Sequence, residues 1–218
     1  VLIHGVTFMG LFSALARGLP SGVIALVMGF QPLLTAFAAG PFLGETLKAR
    51  QWFGMVAGFA GVTVVITDKL DVAGADLPGI ALACVAVTGI TAGTLYQKRH
   101  GGTMRLRSGH AIQFAAAALL TGAFSLAFET GSIHWTGEFI FGLTWLVVVL
   151  SLGAVSLLYV MLRRGQASKV ISLFYLVPVA TAVESYFLFG ESLTPVQIGG
   201  MVLVISAVLT IRKKPSRS

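Results

Sequence analysis

The sequence predicts an all-α fold, a polytopic bundle of transmembrane helices, and three observations carry that prediction. Only 11% of the residues are charged while 56% are hydrophobic, against roughly 25% charged in an ordinary soluble domain. The apolar residues gather into eight stretches that approach or reach the roughly 20 residues needed to cross a hydrocarbon core as a helix. One pattern is also written twice, at a constant offset of 146 residues (178 − 32).

The stretches follow in order as residues 1–16, 20–42, 50–67, 77–97, 109–128, 139–162, 169–189 and 195–211. The second carries Gln31, Pro32 and Thr35, and the third a face of Gly54, Gly58 and Gly61. The fifth begins with His110 and Gln113, and the sixth follows Trp135 and contains Trp145. The seventh holds Tyr175, Pro178, Thr181 and Glu184. The eighth opens on Thr194-Pro195-Val196-Gln197, the pattern of a capping box with proline at the first helical position. These stretches are apolar all round, which excludes a transmembrane β-barrel, whose strands alternate apolar and polar residues.

Basic residues fall in alternate loops. Lys48 and Arg50, Lys98 to Arg107, Arg163 to Lys169, and Arg212 to Arg217 contain two, four, three and four of the 15 lysines and arginines. The opposite loops hold only Arg17 and Lys69, beside Asp68, Asp71, Asp76, Glu129, Glu138 and Glu191. This asymmetry places the four basic segments and the C-terminus in the cytoplasm, with Trp135 as an interfacial anchor. The net charge of +7 therefore orients the chain and implies no nucleic-acid partner. Lone Cys84 allows no intrachain disulfide. The HExxH, GxSxG and GxxxxGK signatures are missing, and four scattered histidines offer no metal-ligand spacing, so no enzyme activity, metal or cofactor is expected.

The first copy of the pattern runs Pro32, Thr35, Ala36, Gly44, Glu45, Leu47, Gln51, Gly54; the second runs Pro178, Thr181, Ala182, Gly190, Glu191, Leu193, Gln197, Gly200. Residues 1–70 form the first repeat and 71–218 the second. The second repeat opens near Leu77, so its counterpart would start near 77 − 146 = −69. About 70 residues, enough for two spans, are expected ahead of Val1. The expectation is then eight helices of a ten-helix, five-plus-five duplication. An odd number of spans between copies inverts the second, with Glu45 at the cytoplasmic end and Glu191 outside. Inverted repeats of this kind underlie alternating-access carriers, with the substrate between the halves.

Two copies of a proline-bearing span, a Gly-Glu pair 12 to 13 residues later and a following glycine-rich span resemble the EamA family of the drug/metabolite transporter superfamily, over essentially the whole chain. The resemblance implies a multi-pass carrier of the bacterial inner membrane, driven by a gradient, that exports or exchanges amino acids, related metabolites or drugs. Its partners would be a small-molecule substrate and the lipid bilayer. Export of amino acids or related metabolites is the leading reading. A proton-coupled exporter of drugs or cationic compounds is the alternative, and a membrane scaffold or non-functional fragment the reading from another class.

Individual residues carry further expectations. Pro32 and Pro178 lack an amide hydrogen and free the carbonyls of Met28 and Phe174, bending their helices as hinges, cavity walls or ordinary packed kinks. Gly44 and Gly190 suit left-handed helix ends, with Glu45 and Glu191 near helix starts where the dipole favours them. The glycine face, with Gly199 and Gly200 opening its counterpart, offers either intramolecular packing or a homodimer contact. Glu184 lies roughly 10 Å into the membrane, where a carboxylate costs on the order of 3 kcal/mol unless paired, hydrated or protonated. It is a candidate for cation binding or proton coupling. Thr181, Tyr175, Gln31, Thr35 and Gln113 are the other cavity candidates, while Tyr96 and Tyr159 suit interfacial anchoring.

Overall fold

The structure is a computed structural model describing residues 2–66, 76–100, 106–128, 134–189 and 192–212. Among the described residues it is all helix. After a π-turn at Leu2–Val6 come α1 (Thr7–Ala16), α2 (Ser21–Gly29), α3 (Gln31–Leu43), α4 (Ala49–Val65), α5 (Leu77–His100) and α6 (Leu106–Phe128). Then follow α7 (Gly137–Trp145), a π-helical stretch Leu146–Ala154, α8 (Val155–Arg164), α9 (Ala167–Ile171), a 3₁₀ turn Ser172–Tyr175, α10 (Leu176–Phe189) and α11 (Pro195–Arg212). Several run on into one another, so the eight apolar stretches each become one helical rod. Among the described residues, five are long and apolar enough to cross a membrane: Ser21–Leu43, Leu77–His100, Gly137–Arg164, Ala167–Glu184 and Pro195–Arg212. The other three are shorter in their apolar part. Ile3–Ala16 and Ala111–Ala127 fall below 18 residues, and α4 has 17.

Two helix ends illustrate how local sequence sets the breaks. Gly44 closes α3 in the left-handed region at φ 67°, donating from its N–H to Gly40 O (2.9 Å), while Glu45 N–H reaches Ala39 O (3.2 Å). The Gly44 bond is the αL closure of a helix C-terminus, which glycine adopts without Cβ strain. Gln51 Oε1 accepts from Lys48 N–H (2.9 Å) at the start of α4, and Gln197 Oε1 accepts from Thr194 N–H (3.0 Å) at the start of α11. The 146-residue offset thus relates the caps as well as the letters. At the second, Thr194 Oγ1 also accepts from Gln197 N–H (3.2 Å), completing the reciprocal box.

The most extensive helix pair joins α4 to its counterpart α11. They run antiparallel: Gly54 faces Ala207 and Ile211, whereas Gly61 faces Gly200 and Val204. The contacts are reciprocal, since Gly54 against Ile211 maps at the same offset onto Gly200 against Val65. The glycine face of α4 is used within the chain, which lets the two backbones approach closely. Around this seam lies a core of Met55, Val62, Tyr175, Val204 and Ile211. A second core gathers Tyr159, Leu162 and Ile171, and a third Ala14, Val23 and Ala83. Outside them the surface is apolar, with Phe37, Phe53, Leu119, Phe141 and Phe187 exposed. So large an apolar surface marks contact with lipid.

Where the C-terminal end of α1 meets the start of α5, Asp76 caps α5 by accepting from Gly79 N–H (2.8 Å) and also accepts from Arg17 Nε (3.1 Å) and Nη2 (2.9 Å). The Arg17 hydrogen bonds hold its carboxyl below the ordinary value of 3.8. A depressed carboxylate contributes stability above that ordinary value and loses it as pH falls through the folded-state value. Asp76→Asn should therefore melt below the parent at neutral pH, with the difference closing below about pH 4; a gap unchanged down to pH 3 would refute the pairing.

Candidate functional site

The two proline-bearing rods break at equivalent places. Phe30 (φ −72°, ψ −16°) and Leu176 (φ −75°, ψ −14°) are offset by 146 and lie two residues ahead of Pro32 and Pro178. Each donates its N–H back three residues, Phe30 to Val27 O and Leu176 to Leu173 O. Pro32 and Pro178 lack the N–H that would bond Met28 O and Phe174 O, and their rings crowd those carbonyls, so each rod breaks just ahead of its proline with a 3₁₀-type bond at the break.

The breaks face one another across a cavity of about 240 Å³. Four counterpart pairs line it: Met28 with Phe174, Gly29 with Tyr175, Gln31 with Val177, and Pro32 with Pro178. Any two-fold relation between the copies would therefore pass through this space. A chamber of about 290 Å³ shares Ala25, Val177 and Pro178 with it and extends to Ser21, Thr181, Ser192 and Gln197.

Inside this region three side-chain atoms are buried with no hydrogen-bond partner among the described residues: Gln31 Nε2, Thr35 Oγ1 and Tyr175 OH. Gln31 and Tyr175 lie on the cavity wall, and Thr35 is one turn along the Gln31 face of α3. Leaving such a group unpaired costs about 1–3 kcal/mol. Polar groups that bear this cost beside an apolar-walled cavity are suited to orienting a small ligand. Their chemistry is neutral: an amide donor and two hydroxyls that both donate and accept.

The remaining expected residues are distributed differently. Thr181 lines the 290 Å³ chamber. Glu184, one turn further, is exposed on α10 and is not among the residues lining either cavity. Gln113 joins a relay in which Tyr159 OH donates to Gln113 Oε1 (2.6 Å) and Gln113 Nε2 donates to Gln97 Oε1 (2.8 Å), tying α8, α6 and α5 together. Gly190, Glu191 and the side chain of His110 lie outside the described residues. Trp145 is exposed and stacks on Phe141, and Tyr96 is exposed beside His100. No grouping of three histidine, cysteine or acidic side chains suited to a metal occurs among the described residues.

Glu45 has a role the sequence did not reveal. Its Oε1 accepts from Ala167 N–H (2.6 Å), and Oε2 from Ser168 N–H (3.3 Å) and Ser168 Oγ (2.7 Å). The carboxylate at the end of α3 thus caps α9, 122 residues away, at the start of the second proline-bearing rod. Beside it Lys98 Nζ donates to Leu162 O (2.6 Å) and Gly165 O (2.5 Å), and Arg99 Nη1 to Phe42 O (3.3 Å). Cations at helix C-termini and an anion at a helix N-terminus together close this end of the bundle.

Comparison with known proteins agrees with this architecture. A solved crystal structure superposes with a TM-score of 0.78 at 20% sequence identity, covering 97% of this chain and 73% of that one. The uncharacterized transporter YvbV of Bacillus subtilis is 28% identical over 98% of this chain and 70% of its own length. A protein of Escherichia coli named probable amino-acid metabolite efflux pump is 26% identical over 92% of this chain and 70% of its own. A probable terminal-alkyne amino-acid exporter of Streptantibioticus cattleyicolor is likewise 26% identical, over 98% and 73%. The sequence model of the EamA-like transporter family matches residues 1–67 and 77–212, and the chain, a multi-pass membrane protein, belongs to that family.

Proposed function

We propose that the protein exports amino acids or related small metabolites across a bacterial inner membrane by alternating access, with its C-terminus in the cytoplasm. In this reading the two copies are halves of a five-plus-five inverted repeat, and the cavity between Pro32 and Pro178 is the substrate site. One observation carries it: equivalent positions of the two copies are packed shut at one end and line a chamber at the other. Thr35 is 0% exposed and Gln31 3%, whereas their counterparts are exposed, Val177 to 53%. Ala167 and Ser168 are sealed under Glu45, whereas their counterparts Ser21 and Gly22 line the outer chamber. Two similar halves holding opposite conformations can exchange them, which is the exchange that alternating access requires.

The names of the relatives in Escherichia coli and Streptantibioticus cattleyicolor support an amino-acid-like cargo. So does the neutral donor and acceptor set of Gln31, Thr35 and Tyr175. A proton-coupled cation exporter would draw on Glu184, and the position of that residue outside both cavities favours the first reading. The test is thiol labelling of Thr181→Cys and Thr35→Cys, each in a Cys84→Ser background, in membrane vesicles. Thr181→Cys should label from outside and Thr35→Cys resist labelling, and a transported amino acid should shift both rates in opposite directions. Equal labelling that no amino acid alters would sink the proposal. In liposomes, amino-acid flux should saturate and show counterflow; flux rising linearly with concentration would mark a pore instead.

A further inference from the structure

A groove between α3 and α5 takes no part in the transport reading. It encloses about 520 Å³, with Leu34, Phe37, Ala92 and Leu95 on its walls. Its threonines offer a ligand little, because Thr88 Oγ1 donates to Cys84 O and Thr91 Oγ1 to Val87 O (2.7 Å) within their own helix. From Leu34 to Phe42 the groove runs about 12 Å at the helical rise, most of one bilayer leaflet. At the Phe42 end stand Arg99 and His100, and the Tyr96 ring lies 4.5 Å from that of His100.

Arg99 and Phe42 also line an adjoining polar cavity of about 580 Å³, which adds Lys98, Arg164 and Gln166. Lys98 is anchored on two carbonyls, and Arg99 gives one Nη1 bond to Phe42 O, leaving most of its five-donor fork available. Arg164 is exposed. The acid on this wall, Glu45, is already engaged by α9. An apolar groove of leaflet length that ends on guanidinium groups matches one kind of molecule. We propose that it binds an anionic phospholipid, one acyl chain between α3 and α5 and the headgroup phosphate on Arg99 and Arg164. Basic pockets between transmembrane helices recognise such headgroups. Because Arg99 also holds the end of α3, the bound lipid would brace α3 against α5.

The experiment uses the whole chain purified in detergent, with native mass spectrometry and thermal unfolding in the presence of phosphatidylglycerol, phosphatidylcholine or inorganic phosphate. Phosphatidylglycerol should be retained and raise the melting temperature, while phosphatidylcholine with the same acyl chains should not. Arg99→Gln and Arg164→Gln should each weaken its apparent affinity about fivefold, the contribution of one charge near the surface. Ala92→Phe, which keeps every charge and fills the groove, should weaken it too. Should Arg99→Gln fail to fold, the exposed Arg164 and the groove variant decide. Equal response to both lipids, affinity unchanged in Arg164→Gln and Ala92→Phe, or a rise with inorganic phosphate as large as with lipid overturns the proposal.

Discussion

Gly61→Leu will destabilise the bundle by about 3 kcal/mol or more, near the upper end of the range for overpacking a closed interface. A Cβ at Gly61 would lie 2.7 Å from Val204 Cγ2, 3.0 Å from Val204 N and 3.1 Å from Gly200 O. Two of these three atoms are backbone, so a rotamer change cannot relieve the clash and α4 must separate from α11. The seam is reciprocal. A Cβ at Gly200 meets Gly61 O at 3.0 Å, so Gly200→Leu should fail in the same way. Gly199 and Gly122 provide the contrast, since an added Cβ meets nothing within 4 Å at either. Their alanine variants should match or exceed the parent, by up to about 1 kcal/mol from helix propensity. Thermal unfolding in detergent distinguishes the outcomes, and Gly61→Leu melting with Gly199→Leu would show that the α4–α11 seam does not hold the fold.

The features legible in the sequence are those set by short-range chemistry. Gly44 announces its left-handed closure because only glycine occupies that region freely, and Thr194 with Gln197 announces a cap because both partners lie within one turn. The 146-residue register passes from letters to structure at Phe30 and Leu176, whose dihedral angles nearly coincide because each precedes a proline by two residues. Contacts between distant segments are another matter. Nothing near Glu45 points to Ser168, and the link from Tyr159 to Gln97 through Gln113 joins three helices whose relative rotation no local pattern fixes. Glu184 shows the limit of helical spacing. Three residues from Thr181 leave the two side chains about 60° apart around the axis, enough for Thr181 to line the chamber while Glu184 is exposed. The cavity candidates Gln31, Thr35 and Tyr175 were nameable as polar residues at membrane depth. That they share a region without partners depends on how the two copies pack.

Glu45→Ala should cost about 3 kcal/mol, combining a lost helix cap of about 0.5–2 kcal/mol with the 1–3 kcal/mol of buried donors left unpaired. Three donors converge on this carboxylate, and Ala167 and Ser168, which supply them, are each 0% exposed, so water does not readily replace it. Glu45→Gln keeps one carbonyl oxygen for Ala167 N–H but turns an amide donor toward the Ser168 donors or leaves them bare. It should fall between the parent and Glu45→Ala. The effect should also reach accessibility, because this contact ties the end of α3 to the start of α9 from opposite copies of the repeat. On the alternating-access proposal that end of the bundle then loses an anchor of its closed form, and Thr35→Cys should become reactive to thiol reagents in the Glu45→Ala background without any substrate. A stability change within about 0.5 kcal/mol of the parent, the range of ordinary surface substitutions, would show that the cap contributes nothing. A large stability loss with Thr35→Cys still shielded would separate the two roles, keeping Glu45 as a structural cap and removing it from the gate.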